Sequence, residues 1–278
     1  MMEFFQDYSL LWLSGLVVAL LVTGMIAGVL AGLLGVGGGI VIVPVLFHLF
    51  SLLGVDESIR MHLAVGTSLA TIIPTSLRSA RSHYLKGSLR PELLKQLLPG
   101  VVIGVLIGIV LSGLFSSQVL TLIFAVVALL VAFNMAFAPE FRLRDGLPGT
   151  AGTTGLGTGI GTVSTLMGIG GGTLSVPLLS ALRVPMHQAV GTGAAIGVVI
   201  SIPGALGFLI NGWGADNLLP GSVGYVNLLG FALIVPATLL TTPWGVKLAH
   251  AVNAARLKQF FALFLALTAA RMFYSLLG

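Results

Sequence analysis

Long apolar runs, separated by glycine, proline and charged residues, dominate this chain. We expect each of ten such runs to form a helix: 10–34, 40–53, 63–80, 97–115, 119–138, 149–168, 173–182, 188–210, 223–245 and 257–277. Eight of them have roughly the 20 residues that a helix needs to cross a bilayer, whereas the second and the seventh are too short to do so unaided. None alternates in polarity as a membrane-spanning strand does. The pattern predicts an all-α polytopic membrane protein.

Composition agrees with this class and excludes several functions. Only 8% of the 278 residues are charged and the mean hydropathy is +1.09, whereas a soluble domain has about 25% charged residues. The net charge of +5 does not indicate nucleic-acid binding, because the basic residues lie in short loops between apolar runs. The chain has no cysteine, and it has no nucleophile motif, metal-ligand spacing or paired intramembrane carboxylate. We therefore expect no enzyme, no metal and no cofactor.

Three blocks of the first half recur in the same order in the second half. The matched positions are Leu34–Gly39 with Met167–Gly172, Pro44 with Pro177, His62–Ser68 with His187–Gly193, and, more weakly, Phe124 with Phe261 and Met135 with Met272. Chance could produce one glycine triplet twice, but hardly three blocks in order. The repeat predicts two transmembrane halves, 1–138 and 149–278, joined by a cytoplasmic linker at 139–148.

Matching loops of the two halves carry opposite charge. The loop after the third run is rich in Lys and Arg, whereas its counterpart at 211–222 has none. The loop at 115–118 is uncharged, whereas its counterpart carries Lys247, Arg256 and Lys258. Since basic loops face the cytoplasm, we expect two inverted halves of five crossings each, as in many secondary transporters.

Counting crossings between the loops extends this prediction to the short runs and the termini. The linker, which carries Arg142 and Arg144, is expected inside, and the loop before the ninth run outside, so the seventh run must cross. By symmetry the second run crosses too, and both termini lie outside the cytoplasm. The first residues carry Glu3 and Asp7 but no Lys or Arg, so they lack the positive start of a cleavable signal peptide and we expect the first run to be retained.

The two short runs place glycine-rich breaks inside the membrane. A helix of 10–14 residues covers only about 15–21 Å of a core that is roughly 30 Å thick. Non-helical backbone at that depth must be buried in protein or face a polar cavity, and the free N–H groups at a helix start suit an anion. Alternatively, the glycines of the two breaks only allow helices to pack closely. For the other glycines, which are dispersed along the chain, close packing is the interpretation that we prefer. The residues of the two breaks are Gly37, Gly38 and Gly39, and Gly170, Gly171 and Gly172.

The second repeated block supplies hydroxyl groups and histidines. Its hydroxyls could donate to an anion or bond back to carbonyls of their own helix. His62 and His187 open the two copies; they could couple transport to protons, because histidine titrates near neutral pH, or simply cap their helices. The remaining candidate residues of the block are Gly66, Thr67 and Ser68 in the first half, and Gly191 and Thr192 in the second.

Arg271 is a single cation within an otherwise apolar run. The first half has Asn134 at the matching position. An arginine at membrane depth usually faces a partner or a pathway, so both residues are candidates for substrate binding. Since Arg271 lies about two turns from the end of its run, its side chain could instead reach the outer interface.

The glycine and histidine motifs together resemble those of the sulfite exporter TauE/SafE family of permeases. The resemblance lies in the paired Gly-x-Gly-Gly-Gly pattern that precedes Pro44 and Pro177, and in the two His-x-Ala-Val-Gly-Thr blocks. It covers nearly the whole chain and implies transport of a sulfur-containing anion such as sulfite, sulfoacetate, another organosulfonate or thiosulfate. The second copy departs from the first in having Gly193 in place of Ser68, so a hydroxyl role there would be one-sided.

These observations predict a secondary transporter in the plasma (inner) membrane whose halves rock around a midplane site. The expected partners are a small anion, a coupling ion or proton, and the lipid bilayer; a homo-oligomer is compatible with the sequence, and nucleic acid is not expected. A passive anion channel and a non-transporting membrane subunit of a complex are the alternatives. The chain has no nucleotide-binding signature, so we do not expect it to use ATP directly.

Overall fold

The computed structural model describes residues 9–35, 37–137, 146–248 and 254–276. Within these residues the chain forms ten helices and one short β-hairpin. The first half contains α1 (Leu10–Leu34), α2 (Gly39–Leu52), α3 (Glu57–Leu85), α4 (Pro91–Leu114) and α5 (Ser117–Phe137). The second half contains α6 (Thr150–Met167), α7 (Gly172–Ala181), α8 (Met186–Asn211), β1 (Ser222–Val223), β2 (Val226–Asn227), α9 (Leu228–Leu248) and α10 (Ala254–Tyr274).

Each predicted run overlaps one of these helices, and the all-α class is confirmed. Several boundaries differ from the prediction: α4, for example, begins at Pro91 rather than at 97. The starts of α3 and α9 also differ, and each has a local explanation. Helix α3 begins at Glu57 rather than at 63, because the Asp56 carboxylate caps it by accepting a hydrogen bond from the Ser58 N–H at 2.8 Å. The hairpin of β1 and β2 occupies the start of the predicted ninth run, so α9 begins later than expected.

Five of the helices in the described part of the chain are long and apolar enough to cross a bilayer, namely α1, α4, α5, α8 and α9. Helices α2 and α7, and residues 262–274 of α10, are apolar but shorter. The outward faces of the long helices carry large apolar side chains, such as Leu106, Val110 and Phe133, that are exposed in the isolated chain. Such faces suit lipid rather than water, and the chain is a multi-pass membrane protein.

The main helix contacts join the two halves. Helix α1 packs along α9, α4 along α6, α3 against α8, and α5 against α10. Exchanging each helix for its counterpart in the other half leaves this scheme unchanged, because α1–α9 becomes α6–α4 and the other two pairs map onto themselves. The contacts of α4 with α8 and of α9 with α3 obey the same exchange. The two halves are therefore packed as an interlocked pair.

Dispersed glycines bring the α1–α9 and α4–α6 pairs close together. A Cβ built on Gly28 would lie 2.5 Å from the Thr238 carbonyl oxygen, and one on Gly104 would lie 2.8 Å from the Thr162 nitrogen. These positions have the small-residue packing that is typical of membrane helices. Gly155, by contrast, meets no atom within 4 Å.

Helices α3 and α8 form the centre of the molecule. Every residue from 61 to 72 of α3 and from 189 to 197 of α8 is buried. The two glycine breaks lie beside these central stretches.

Candidate functional site

The two breaks differ in backbone conformation. Between α1 and α2, three glycines have a left-handed φ: Gly35 at +66°, Gly37 at +73° and Gly38 at +80°. Between α6 and α7 only Gly168, which matches Gly35, does so, at +64°. Glycine adopts this conformation readily, whereas side chains with a Cβ rarely do. Gly171 has an ordinary φ of −56°, so the second break needs its glycines mainly for space.

Space is short at the second break because α8 packs directly on it. A Cβ on Gly171 would lie 2.5 Å from Ile196 Cγ2 and 2.7 Å from the Gly197 nitrogen. These atoms belong to the central buried stretch of α8. Any side chain at Gly171 would therefore push α7 away from α8.

The two breaks touch each other. A Cβ on Gly37 would lie 3.3 Å from Gly170 Cα, and one on Gly39 would lie 3.0 Å from Ile169 Cα. Since α2 begins at Gly39 and α7 begins directly after the second break, the N-termini of both short helices converge at this contact.

Each break also packs against the central helix of the other half. A Cβ on Gly35 would lie 3.0 Å from Val190 Cγ1 on α8, and one on Gly168 would lie 2.9 Å from Val65 Cα on α3. Val65 and Val190 are matching residues of the repeated His-x-Ala-Val-Gly-Thr block. The contact is thus crossed: each half covers the break of the other.

Ser68 and Gly193, which match in the repeat, make different contacts. The Ser68 hydroxyl donates to the Gly168 carbonyl at 2.7 Å and so holds the second break against α3. Gly193 has no hydroxyl, and α7 packs on it instead: a Cβ there would lie 2.9 Å from Ser175 Oγ. The hydroxyl at this position of the repeat exists only in the first half.

Thr67 and Thr192 also match in the repeat, and they too differ. Thr67 Oγ1 accepts a hydrogen bond from the Asn227 N–H at 2.8 Å and anchors the β-hairpin to α3. Beside it, Gly66 lies against the Tyr225 carbonyl.

In the second half, the Thr192 hydroxyl is buried and has no hydrogen-bond partner within the described residues. In the second half, Gly191 packs against the loop that precedes α4, where a Cβ would lie 2.6 Å from the Ser88 carbonyl oxygen.

Thr192 is one of five buried hydroxyls that lack a hydrogen-bond partner in the part of the chain that the structure describes. They come from helices α3, α6, α7 and α8, which surround the second break. An unpaired buried hydroxyl costs about 1–3 kcal/mol, so several of them in one region call for an explanation. A polar ligand that accepts their hydrogen bonds would supply it. The five residues are Ser76, Ser164, Thr173, Ser175 and Thr192.

Ser76, on α3, approaches the start of α7 from outside that helix. Its Oγ lies 2.7 Å from the point that a Cβ on Gly197 would occupy, and the Gly171 nitrogen lies 3.4 Å from the same point. It also lies beside the first break, 3.1 Å from a Cβ on Gly37. A hydroxyl therefore stands between the two breaks.

The start of α7 offers further donors. Its first backbone hydrogen bond within the described residues runs from the Ser175 N–H to the Gly171 carbonyl at 3.1 Å. The N–H groups of Gly172 and Thr173 have no acceptor among these residues, and no side chain caps the helix. Free N–H groups and the positive end of the helix dipole favour an anion here.

The two candidate histidines have unlike surroundings. His62 is buried, and its Nε2–H donates to the Ser112 and Phe115 carbonyls, at 3.0 and 3.1 Å. Its ring lies over Tyr225, with 5.0 Å between the ring centroids. His187 is exposed at the start of α8. His62 thus ties α3 to the end of α4, a role that His187 does not share.

Arg271 and Asn134 are not brought together with the hydroxyls. Both are exposed, on α10 and α5 respectively. Arg271 interacts electrostatically with His48, which lies toward the far end of α2 from its glycine break. No contact described for either residue reaches a break.

A cleft of about 300 Å³ lies apart from the breaks, between the ends of four helices. Among the described residues that line it, the only lysine or arginine is Arg60, which donates to the Val55 carbonyl at 2.9 Å and lies 3.5 Å from Glu57. Because its charge is already engaged, the cleft is a weaker anion site than the breaks. The lining residues are Phe47, Glu57, Arg60, Ser117, Gln118, Thr121, Ser275 and Leu276.

Four of the five unpartnered hydroxyls are absent from the sequence-based candidates. A signal for Ser76 was available: the register that matches His62 with His187 also matches Ser76 with Ser201, two turns beyond the repeated block. Thr173 and Ser175 directly follow the second glycine triplet. Ser164 has no comparable signal.

Comparison with known proteins gives a family match over nearly the whole chain. The model of the family described as "Sulfite exporter TauE/SafE" matches residues 20–272. A "Probable membrane transporter protein" of Haemophilus influenzae is 34% identical over 262 residues, which cover 92% of this chain and 98% of that protein. "Probable membrane transporter protein YunE" of Bacillus subtilis is 42% identical over 66 residues, 24% of each chain. No solved structure matches at a significant level.

Proposed function

The chain belongs to the sulfite exporter TauE/SafE family, and we propose that it is a secondary transporter for a small sulfur-containing anion such as sulfite, sulfoacetate or another organosulfonate. One observation carries the proposal beyond family membership: the two glycine breaks meet in the buried centre, beside hydroxyls that lack partners. N–H and O–H donors in such a place suit an anion that has left its water shell.

In this proposal the halves are inverted, with five crossings each and both termini outside the plasma membrane. The opposite charges of matching loops support this arrangement. The unchanged scheme of helix contacts under exchange of the halves supports it as well. Inverted halves would bring α2 and α7 to the midplane from opposite sides, which accounts for two short helices whose N-termini meet.

The contact between the breaks serves as the gate. Gly37 and Gly170 touch, so an anion can enter between them only when they separate. Rocking of one half against the other opens the contact first to one side of the membrane and then to the other. The substrate-binding residues are then the glycines of both breaks and the hydroxyls beside them.

Reconstitution of the purified chain into lipid vesicles tests this function. We expect sulfite or an organosulfonate to accumulate against its own gradient when a proton or sodium gradient is imposed. A passive channel would only equalise the concentrations. A subunit that does not transport by itself would give no uptake, and either result would contradict the proposal.

The glycine site is tested by replacing Gly171 with Val. The larger side chain would meet Ile196 and separate α7 from α8, so transport should fall to background. Gly155→Val is the matched control, because Gly155 meets nothing within 4 Å. Normal transport by a folded Gly171→Val protein, as judged by size-exclusion chromatography, would remove the second break from the site. Gly38 suits this test less well, since its φ of +80° would strain any side chain.

A further inference from the structure

The groups described at the meeting point of the breaks are neutral. They are the backbone N–H groups at the start of α7 and the Ser76 hydroxyl, and the unpaired hydroxyls of Thr173 and Ser175 belong to the first turn of α7. Helices α1, α2, α6, α7 and α8 contain no Lys, Arg, Asp or Glu at all. Helix α3 does carry charged residues, but none of them is buried, whereas Ser76 is fully buried. They are Glu57, Arg60, Arg78 and Arg81. An anion here would be held by hydrogen bonds and helix dipoles rather than by an ion pair.

The helix dipoles set how much negative charge the site can balance. Each helix N-terminus is equivalent to roughly half an elementary positive charge. The starts of α2 and α7 converge, so together they offer about one positive charge. A singly charged anion would be balanced, whereas a doubly charged anion would keep about one charge uncompensated.

The cost of desolvation increases the preference for a singly charged anion over a doubly charged one. The cost of moving an ion from water into a medium of low dielectric constant rises with the square of its charge, so it is roughly four times larger for a dianion. The central stretches of α3 and α8 are buried throughout, which makes the site poor in water. Neutral donors cannot recover that cost as lysine or arginine would.

We infer that this site selects singly charged oxyanions, such as hydrogen sulfite or a sulfonate with no second charge, over doubly charged ones such as sulfate and fully ionised sulfite. Of the substrates proposed above, sulfoacetate carries two negative charges and is therefore disfavoured. The inference rests on the transport function proposed above and names the charge class of its substrate. The hydroxyls of Ser76, Thr173 and Ser175 donate to the oxyanion oxygens.

The test compares methanesulfonate, which is singly charged, with sulfate at equal ionic strength. Binding to the purified protein is measured by titration calorimetry, and uptake is measured in vesicles. We expect methanesulfonate to bind at least about tenfold more tightly than sulfate. Equal binding of the two would overturn the charge inference and leave the transport function standing. Absence of binding and uptake for methanesulfonate, sulfate and sulfite alike would overturn both.

Sulfite provides a second test, because its charge changes with pH. Sulfite uptake should fall as pH is raised through the second ionisation of sulfurous acid. Methanesulfonate uptake, measured over the same range, reports any effect of pH on the protein itself. Parallel pH profiles for the two substrates would contradict selection by charge.

Ser76→Ala tests the donor set. We expect affinity for methanesulfonate to fall about tenfold, as for loss of one hydrogen bond to a charged group. Ser79→Ala is the control: Ser79 is a buried serine on the same helix, and its hydroxyl already donates to the Ala31 carbonyl at 3.2 Å. Unchanged affinity in Ser76→Ala would exclude this hydroxyl from the site.

Discussion

Ser68 and Ser76 lie about two turns apart on α3, both fully buried, and their replacement by alanine should change stability in opposite directions. The Ser68 hydroxyl donates to the Gly168 carbonyl at 2.7 Å. Ser68→Ala leaves that buried carbonyl without its hydroxyl donor, at a cost of about 1–3 kcal/mol. The Ser76 hydroxyl has no partner within the described residues, so Ser76→Ala removes a group that is already unsatisfied.

The expected size of the Ser76 effect follows from two opposing terms. Removal of an unpaired buried hydroxyl relieves about 1–3 kcal/mol. Loss of the van der Waals contacts of one oxygen, each about 0.1–0.2 kcal/mol, offsets roughly 1 kcal/mol of this. Ser76→Ala should therefore be neutral or stabilising by up to about 2 kcal/mol, whereas Ser68→Ala should be destabilising.

Thermal unfolding of the purified protein in detergent, without added anion, measures both effects. A change of 1 kcal/mol in the free energy of unfolding shifts the Tm by about 2–4 °C in proteins of about 150–250 residues. We expect Ser68→Ala to lower the Tm by several degrees and Ser76→Ala to leave it unchanged or raise it. If Ser76→Ala lowered the Tm as much as Ser68→Ala, its hydroxyl would be hydrogen-bonded in the ligand-free protein. The argument that the unpaired hydroxyls await a ligand would then fail.

Three further predictions concern helix packing, the lone arginine and a helix cap. Gly28→Ala should lower the Tm, because a Cβ there would lie 2.5 Å from the Thr238 carbonyl oxygen. Gly15→Ala is the control and should not lower it, because a Cβ there meets no atom within 4 Å. Equal shifts in Tm would contradict the close packing of α1 on α9. Arg271→Ala should leave affinity for methanesulfonate unchanged, because its side chain is exposed; a tenfold loss in calorimetry would place Arg271 in the site. Hydrogen bonds from Ser58 lower the pKa of the Asp56 carboxyl. The stability that the ionised Asp56 carboxylate contributes is therefore complete above the ordinary pKa of 3.8 and is lost as the pH falls through the lowered pKa. Asp56→Asn, which keeps a cap that does not titrate, should unfold with less dependence on pH below 4 than the wild type does.

The helices could be predicted from the sequence because length and apolar content nearly suffice to locate a helix in a membrane. The start of α3 was missed because apolar content locates only the apolar part of a helix. Residues 57–62 are too polar to belong to an apolar run, and the cap at Asp56 that starts the helix is a local signal of another kind. The β-hairpin was missed because its strands are only two residues long and Val226 belongs to the same apolar stretch as α9.

The glycine breaks could be predicted because they occur twice in the sequence, whereas most of the hydroxyls beside them could not. Whether a serine is paired depends on tertiary contacts: Ser68 and Ser76 are alike in sequence, yet only Ser68 finds a carbonyl within reach. Arg271 is the opposite case, because the sequence singled it out but could not show where its side chain lies. Hydropathy identifies a cation in an apolar run, but the direction of its side chain follows from how α10 packs on α5.

The crossed contact of the breaks also constrains how the protein is made. Gly35 is covered by Val190, and Gly168 by Val65, so the first break stays uncovered until the ribosome has passed α8. About 150 residues separate Gly35 from Val190, which corresponds to roughly 10–30 s of synthesis at 5–20 residues per second. Throughout that time the first break of a newly made chain lacks the cover that Val190 provides. A chain cut off before α8 should therefore be a substrate for membrane quality control rather than a stable half-transporter.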